Sequence, residues 1–381
     1  MAARVLHILS STMRAGVAVM VMNLYRELDK EQIQFDFVAH ELGDDDFGAE
    51  IERLGGRVFR IPFLSEAGMS GFVRQIRGII ETHGPYAAVH AHTDYQSGFC
   101  ALAARQAGVP VRICHAHSDT RYIRSPLFTI KKLLGRALID RNATRRCACS
   151  ENAALSTFGR RAVQHGLVTV IPNGIDLFGF AKYPPETRTE LLHACHADAS
   201  SRVVGCVGRL SPEKNPGFVL DIAAEARNAG LNMLFVYIGT GVLLDELSRR
   251  AENLGLTETV CFLGVRSDVP QLMQCFDMVI VPSFTEGFSL AALEAQAAGT
   301  PVLVSSGVPD AADMGLNLFH VYPLTSGASA WVKRTVEVMN SAARPDATAR
   351  IRQIRERGYD AKVNATQIIR LYGAQTRQES S

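Results

Sequence analysis

Glu286 and Glu294 are the residues best placed by type and spacing to do chemistry. They flank a tight turn in Ser283-Phe-Thr-Glu-Gly-Phe-Ser-Leu-Ala-Ala-Leu-Glu. The apolar run Met278-Val-Ile-Val leads into that turn and reads as a strand, and Leu290 to Ala298 reads as a helix. Glu286 then lies in a loop at the carboxyl end of a strand, where open α/β sheets bind ligands. Glu294 follows a little over one turn into the helix, within about 6–8 Å of its start along the axis. Both carboxylates can look toward one ligand, with the amides of Gly287, Phe288, Ser289 and Leu290 between them. Amides at a helix N-terminus bind phosphate, and carboxylates accept hydrogen bonds from hydroxyls. A phosphate flanked by hydroxyl-rich groups, as in a nucleotide sugar, matches that layout.

A second cluster is Gly208-Arg-Leu-Ser-Pro-Glu-Lys-Asn, directly after the strand-like run Val203–Val207. Arg209 and Lys214 could hold a diphosphate there, the guanidinium through paired hydrogen bonds and the ammonium as a point charge. The plainer alternative is a solvated basic loop with an ion pair to Glu213. Histidines cluster after two further strands, as His90-Ala-His92 and His115-Ala-His117. Residues two apart on a strand share a face, so a metal site is conceivable. No carboxylate or cysteine completes a ligand set, and imidazoles bonded to loop backbone are the competing reading. The assignment is therefore no metal and no cofactor.

The elements that must carry these groups alternate along the chain. Strand candidates are Val5–Leu9, Phe35–Val38, Arg57–Ile61, Ala88–His90, Val111–Cys114, Arg146–Ala148 and Val168–Ile171, then Val203–Val207, Leu234–Ile238, Val260–Phe262, Met278–Val281 and Pro301–Val304. Helical stretches such as Ala18–Leu28, Ala49–Leu54, Gly71–Thr82 and Gly98–Ala107 lie between them. Such alternation argues for an α/β protein with parallel sheets covered by helices. The 381 residues suffice for two Rossmann-like domains meeting across a cleft, with a boundary near residues 172–200. The expected division is 1–172, 173–355 and a closing helix and tail over 356–381. With 40 basic and 38 acidic residues the net charge is only +2, so no general attraction to nucleic acid follows. Eight scattered cysteines without a C-x-x-C, and an N-terminus that reads as a strand, favour a cytoplasmic setting.

Taken together, these motifs resemble the retaining glycosyltransferases of family 4, which have the two-domain GT-B fold. The resemblance is carried by Gly208-Arg with Lys214-Asn215, by Glu286-x7-Glu294, and by Ile171-Pro-Asn-Gly-Ile-Asp, Phe262-Leu-Gly-Val-Arg-Ser-Asp and Glu294-Ala-Gln-Ala-Ala-Gly. Asn23-Leu-Tyr-Arg-Glu-Leu and Leu54-Gly-Gly-Arg-Val extend it into the first half and point to the bacterial exopolysaccharide and capsule branch. The resemblance implies transfer of a sugar from a nucleotide-diphosphate donor, a UDP-sugar by preference, to a hydroxyl of a glycan or lipid-linked acceptor. It implies retention at the anomeric carbon without a required metal. Arg209 and Lys214 would contact the diphosphate, Glu286 the sugar hydroxyls, Glu294 the ribose, and the backbone at Val265 the base. His117, with His115 close behind, would face the transferred sugar, and Gly16 would let backbone approach a phosphate.

Two features depart from that pattern or add to it. The family's Gly-Gly loop followed by Glu is here Arg14-Ala-Gly-Val-Ala18, which lacks one glycine and the carboxylate. That puts acceptor orientation in doubt and keeps a non-catalytic nucleotide-sugar-binding role open beside a nucleotide-sugar epimerase on the same fold. From Arg121 through Arg124, Lys131, Lys132, Arg136, Arg141 and Arg145 to Arg146 the chain is basic, and Pro126 to Ile139 mixes these cations with apolar residues at helical spacing. Peripheral contact with an anionic membrane and an ordinary helix with a solvated charged face are both compatible with it. Gly239-Thr-Gly also follows a strand, but Leu244 stands where a dinucleotide fingerprint needs its third glycine.

Overall fold

A computed structural model describes residues 2–13, 16–40, 46–121, 123, 125–181 and 184–373. Arg14, Ala15 and Arg124, each part of a motif above, lie outside the described residues. The chain divides into two compact units, Met1–Ile175 with Gly358–Ser381, and Asp176–Arg357.

The first unit holds a seven-stranded sheet in the order β3-β2-β1-β4-β5-β6-β7. Its strands are β1 Ala3–Ile8, β2 Ile33–Ala39, β3 Val58–Arg60, β4 Ala88–Ala91, β5 Val111–Ala116, β6 Arg145–Ala148 and β7 Thr169–Val170. All their pairings are parallel. Phe35, Phe37 and Val38 of β2 are buried on both faces, as strands covered by helices on each side must be, and Asp36 between them is buried in ion pairs with Arg4 and Arg57. The helix Ala361–Leu371 closes this unit, its first turn capped by the Asp360 side chain, which accepts from the Lys362 amide. It buries Ala365 and Ile368 in the same core as Tyr25, Phe35 and Phe37, and Tyr372 follows it into that core.

The second unit holds a six-stranded parallel sheet, β10-β9-β8-β11-β12-β13. Its strands are β8 Arg202–Val207, β9 Met233–Ile238, β10 Val260–Phe262, β11 Met278–Val281, β12 Val302–Val304 and β13 Phe319–Val321. The edge strand β13 escapes the sequence reading because its three residues are only half-buried and show no apolar run. In both sheets the strand order reverses next to the first strand, between β1 and β4 and between β8 and β11. Ligands of open α/β sheets bind at such reversals, and the candidate residues are concentrated there.

Candidate functional site

In the second unit two loops leave the carboxyl ends of the adjacent strands β8 and β11 and meet. Lys214 closes a single 3-10 turn, Pro212–Lys214, and Asn215 turns the chain away in the left-handed region at φ 53°. The Lys214 ammonium donates to Glu286 Oε2 at 2.6 Å, with the lysine side chain 34% exposed and the glutamate 4%. Ser283 Oγ donates to the other carboxylate oxygen at 2.8 Å. Glu213, the sequence-neighbouring candidate for Lys214, instead accepts from Ser211 Oγ at 2.6 Å. For Lys214, the alternative of an ion pair to Glu213 is thus replaced by a pair across two loops. Backbone ties hold the loops together: the Phe284 amide donates to Glu213 O, and Asn215 Nδ2 to Pro282 O.

Ser289 caps the helix Leu290–Ala298, its Oγ accepting from the Ala292 amide. The amides of Gly287, Ser289 and Leu290 have no partner among the described residues. Orphan donors at a helix start with no acidic residue in its first turn form an anion-binding arrangement. Arg209 is exposed and its guanidinium is unpaired among the described residues, so it too is available to an anion. Val265 sits half-buried just beyond β10, after Gly264 at φ 64°.

Glu294 is partly buried and has no charged or hydrogen-bonding partner among the described residues. Desolvation lifts its pKa from 4.5 to about 7. The raised folded-state value means that the stability this group contributes is fully present below 4.5 and is lost as the pH climbs through about 7. A hydroxyl-bearing ligand is held better by the carboxylate than by the acid, since bonds to ionised acceptors are stronger. With Glu294 as the ribose contact that the family resemblance implies, nucleotide affinity is expected to rise between pH 6 and 8 by about 3- to 10-fold more in the wild type than in Glu294→Gln, an effect on the scale of one or two hydrogen bonds. Titration calorimetry of both proteins across that range checks it, and parallel pH profiles would remove Glu294 from the binding site.

Ser305 and Gly307 are site residues that the sequence reading missed. Ser305 Oγ donates to Ser283 O, and the Glu286 amide donates to Gly307 O at 3.0 Å. A Cβ on Gly307 would come within 2.3 Å of Phe284 O, so the loop that aims Glu286 rests directly on this backbone. The serine–glycine run straight after β12 was the available signal.

In the first unit, Gly16 opens the helix Gly16–Glu27 at φ 39°, a conformation glycine adopts without strain. Ala18, where the family carries a carboxylate, is buried in the core. The five histidines His7, His90, His92, His115 and His117 lie together at the β1/β4/β5 end. His115 is buried with Nδ1 bonded to His90, whereas His117 is only partly buried, which makes His117 the more accessible of the two. Burial pushes the pKa of His117 and of His7 down to about 3, and those of His90, His92 and His115 well below the ordinary range, so all five imidazoles are neutral. Two overlapping triads, His7/His90/His92 and His92/His115/His117, bring one ring nitrogen each within 4.8 Å of one another, a spacing open to a metal ion.

Two doubly wound parallel sheets, each with its candidate residues at the strand reversal, place the chain in the class of two-domain proteins with the GT-B fold. Residues 14–177 match the family Glycosyltransferase Family 4, and residues 190–344 match Glycosyl transferases group 1. A protein named as a glycosyltransferase, EpsF of Bacillus subtilis (strain 168), is 37% identical over 99% of this chain and 98% of its own length. The UDP-Gal:alpha-D-GlcNAc-diphosphoundecaprenol alpha-1,3-galactosyltransferase of Escherichia coli is 27% identical, covering 80% of this chain and 79% of that protein. Among solved structures, Anabaena HepE in complex with UDP-glucose superimposes with a TM-score of 0.76 at 20% identity, covering 98% of this chain and all of that one. WaaG, a glycosyltransferase involved in lipopolysaccharide biosynthesis, gives 0.71 at 15% identity, over 96% of this chain and 99% of that one. The chain belongs to the family 4 glycosyltransferases of the polysaccharide branch.

Proposed function

We propose that this glycosyltransferase moves a sugar, with retention and without a metal, from a UDP-sugar to a hydroxyl of a lipid-linked glycan in surface polysaccharide synthesis. The observation that carries the donor half is the Lys214–Glu286 pair beside the start of the helix Leu290–Ala298: a cation for the diphosphate, a carboxylate for sugar hydroxyls, and between them the amides of Gly287, Ser289 and Leu290, which have no partner among the described residues. Arg209 and Lys214 neutralise the leaving diphosphate, while the Gly287, Phe288, Ser289 and Leu290 backbone cradles it. Glu286 accepts from hydroxyls of the transferred sugar, Glu294 from the ribose, and backbone at Val265 borders the base. Gly16 lets the first unit's backbone approach a phosphate, and His117 hydrogen-bonds to the sugar. The acceptor hydroxyl oxygen bonds to the anomeric carbon as the bond to the diphosphate breaks, and its proton passes to the departing phosphate oxygen. UDP is favoured by the UDP-Gal donor of the E. coli enzyme and the UDP-glucose bound to HepE, and the lipid-linked acceptor by the undecaprenol-linked substrate of the E. coli enzyme. The test is incubation with UDP-sugars and a diphospho-lipid acceptor, with the product's anomeric configuration read by NMR. An inverted product, or conversion of the donor alone as an epimerase would give, contradicts this reading.

Contact with an anionic membrane is proposed on the helix Pro126–Asn142. Close packing fixes its orientation: a Cβ on Gly135 would come within 2.3 Å of Tyr95 O. Its inner face buries Gly135, Ile139 and Asn142, and Lys132 and Arg136 are spent on Thr120, Ser156 and Thr157. The outer face is apolar, with Leu127 and Ile130 at 63% exposure, Leu133 at 57% and Leu134 at 42%. Exposed Lys131 and Arg141 stand among them. A solvated helix turns charge outward, whereas here leucines face out between cations, as interfacial helices do. None of the described helices is long and apolar enough to cross a membrane. Replacing Leu127, Ile130 and Leu133 together with serine should weaken binding to phosphatidylglycerol vesicles by about tenfold or more, given the apolar area lost. Equal sedimentation of variant and wild type with those vesicles would rule the helix out as the anchor.

A further inference from the structure

The histidine cluster of the first unit is one uninterrupted chain of hydrogen bonds. His117 Nε2 meets His92 Nδ1 at 2.9 Å, and His92 Nε2 meets His7 Nδ1 at 3.0 Å. His7 Nε2 meets the Tyr372 hydroxyl at 3.3 Å, and that hydroxyl meets His90 Nδ1 at 2.9 Å. His90 Nε2 then meets His115 Nδ1 at 3.1 Å. Every imidazole–imidazole junction joins an Nε2 to an Nδ1, and the phenol likewise bridges an Nε2 to an Nδ1. The chain ends on two buried ring nitrogens, His117 Nδ1 and His115 Nε2, that have no partner within hydrogen-bond geometry among the described residues, and the Asn173 side chain interacts with the His117 ring.

A neutral imidazole has one N–H and one lone pair. Each ring that donates at one nitrogen must therefore accept at the other, and a head-to-tail chain has only two consistent polarities. In one, all five histidines carry the proton on Nε2, and in the other all five carry it on Nδ1. Tyr372 decides between them. Hydroxyl donors bond at shorter range than N–H donors, so the phenol donates across the 2.9 Å contact to His90 and accepts across the 3.3 Å contact from His7.

We propose that His117, His92, His7, Tyr372, His90 and His115 form a single polarised relay in which all five imidazoles are Nε2–H tautomers, so that Tyr372 fixes His117 Nδ1 as a hydrogen-bond acceptor for a ligand hydroxyl. Tyr372 is thus a positioning residue, acting on His117 from beyond two intervening rings. The functional half rests on the sugar-facing reading of His117 given above. An acceptor at Nδ1 selects a group that can donate, such as a sugar hydroxyl, and disfavours an acceptor-only group such as a methyl ether.

The test is long-range proton–nitrogen correlation NMR of ligand-free protein labelled with 15N-histidine, at neutral pH, for wild type and Tyr372→Phe. The expected wild-type spectrum shows the Nε2–H pattern for all five histidines. In Tyr372→Phe, His117 should shift toward a tautomer mixture although it never touches Tyr372. A purely structural tyrosine would disturb only His7 and His90. Mixed tautomers in the wild type overturn the proposal, and that spectrum decides the matter even if the variant does not fold. An unmoved His117 in a folded variant also overturns it, as does stoichiometric tight binding of Co(II) that broadens these resonances, which would make the cluster a metal site. In turnover assays the variant should raise the donor KM by roughly 3- to 10-fold, the worth of one hydrogen bond, with less change in kcat. A relay confirmed by NMR with an unchanged KM would overturn the sugar contact alone and leave the relay standing.

Discussion

Lys214→Ala should lower kcat by about 10²–10³-fold, the loss seen when a preorganised group is removed from charge that develops in the transition state. In the resting protein Lys214 spends its charge on Glu286. In the proposed assignment, the diphosphate of a bound donor takes that cation, and the Glu286 carboxylate turns to the sugar. In that assignment the substitution has two consequences: it removes the counter-charge of the leaving group, and it leaves the nearly buried carboxylate with Ser283 as its one side-chain partner among the described residues. A second variant separates them. If Lys214 serves the diphosphate directly, Lys214→Ala remains severe in a Glu286→Gln background. If it only holds Glu286, the double variant is no worse than Glu286→Gln, because groups that act as a unit are not additive. Rates of UDP release with saturating donor and acceptor distinguish the two. Arg209→Ala should lose about 10²-fold on the same grounds.

Gly239→Ala has the largest expected effect on stability near the site. Gly239 lies at φ 131°, and an added Cβ would come within 2.0 Å of Gly208 O and 2.9 Å of Gly208 C. The side chain would clash with backbone, which cannot swing away as a flexible side chain could. Strain and overpacking together should cost about 2–5 kcal/mol. For a unit of this size that corresponds to a Tm lower by roughly 5–15 °C. Activity should fall further than stability explains, because Gly208 and Leu210 are hung on this turn: the Leu210 amide donates to Thr240 O, and the Leu243 amide to Leu210 O. Displacing Arg209 by about 1 Å can cost about 10²-fold. Calorimetric unfolding together with kcat/KM at a temperature where the variant is folded tests this. An unchanged melting temperature would contradict the packing account.

The same glycine shows what the sequence disclosed and what it hid. Gly239-Thr-Gly241 has the look of a phosphate-binding fingerprint, yet its glycines serve close packing, Gly239 against Gly208 and Gly241 against Leu210. Local spacing exposes a need for glycine but not which neighbour imposes it. The strands were legible because their apolar runs must be buried on both faces, and β13 was hidden because it is short and half-exposed. Glu286, Lys214 and the 287–290 turn could be read as chemistry-bearing because each sits directly after a recognisable strand. That Lys214 pairs with Glu286 rather than with Glu213 depends on β8 lying beside β11, a non-local fact. The histidine relay was invisible for the same reason: His7, His90 and Tyr372 are separated by most of the chain and joined only by the β1–β4 pairing and the closing helix. In the basic segment, periodicity gave the helix but not which face turns outward. The close approach of Gly135 to Tyr95 fixes that.

Calorimetric titration of the intact protein with UDP, GDP and ADP, without metal and in parallel with Lys214→Ala, tests the central claim most directly. The account predicts that UDP binds selectively and that the variant binds it markedly more weakly. Equal binding by the variant, or no binding of any of the three nucleotides, would contradict the assignment of the donor site to Arg209, Lys214, Glu286 and Glu294.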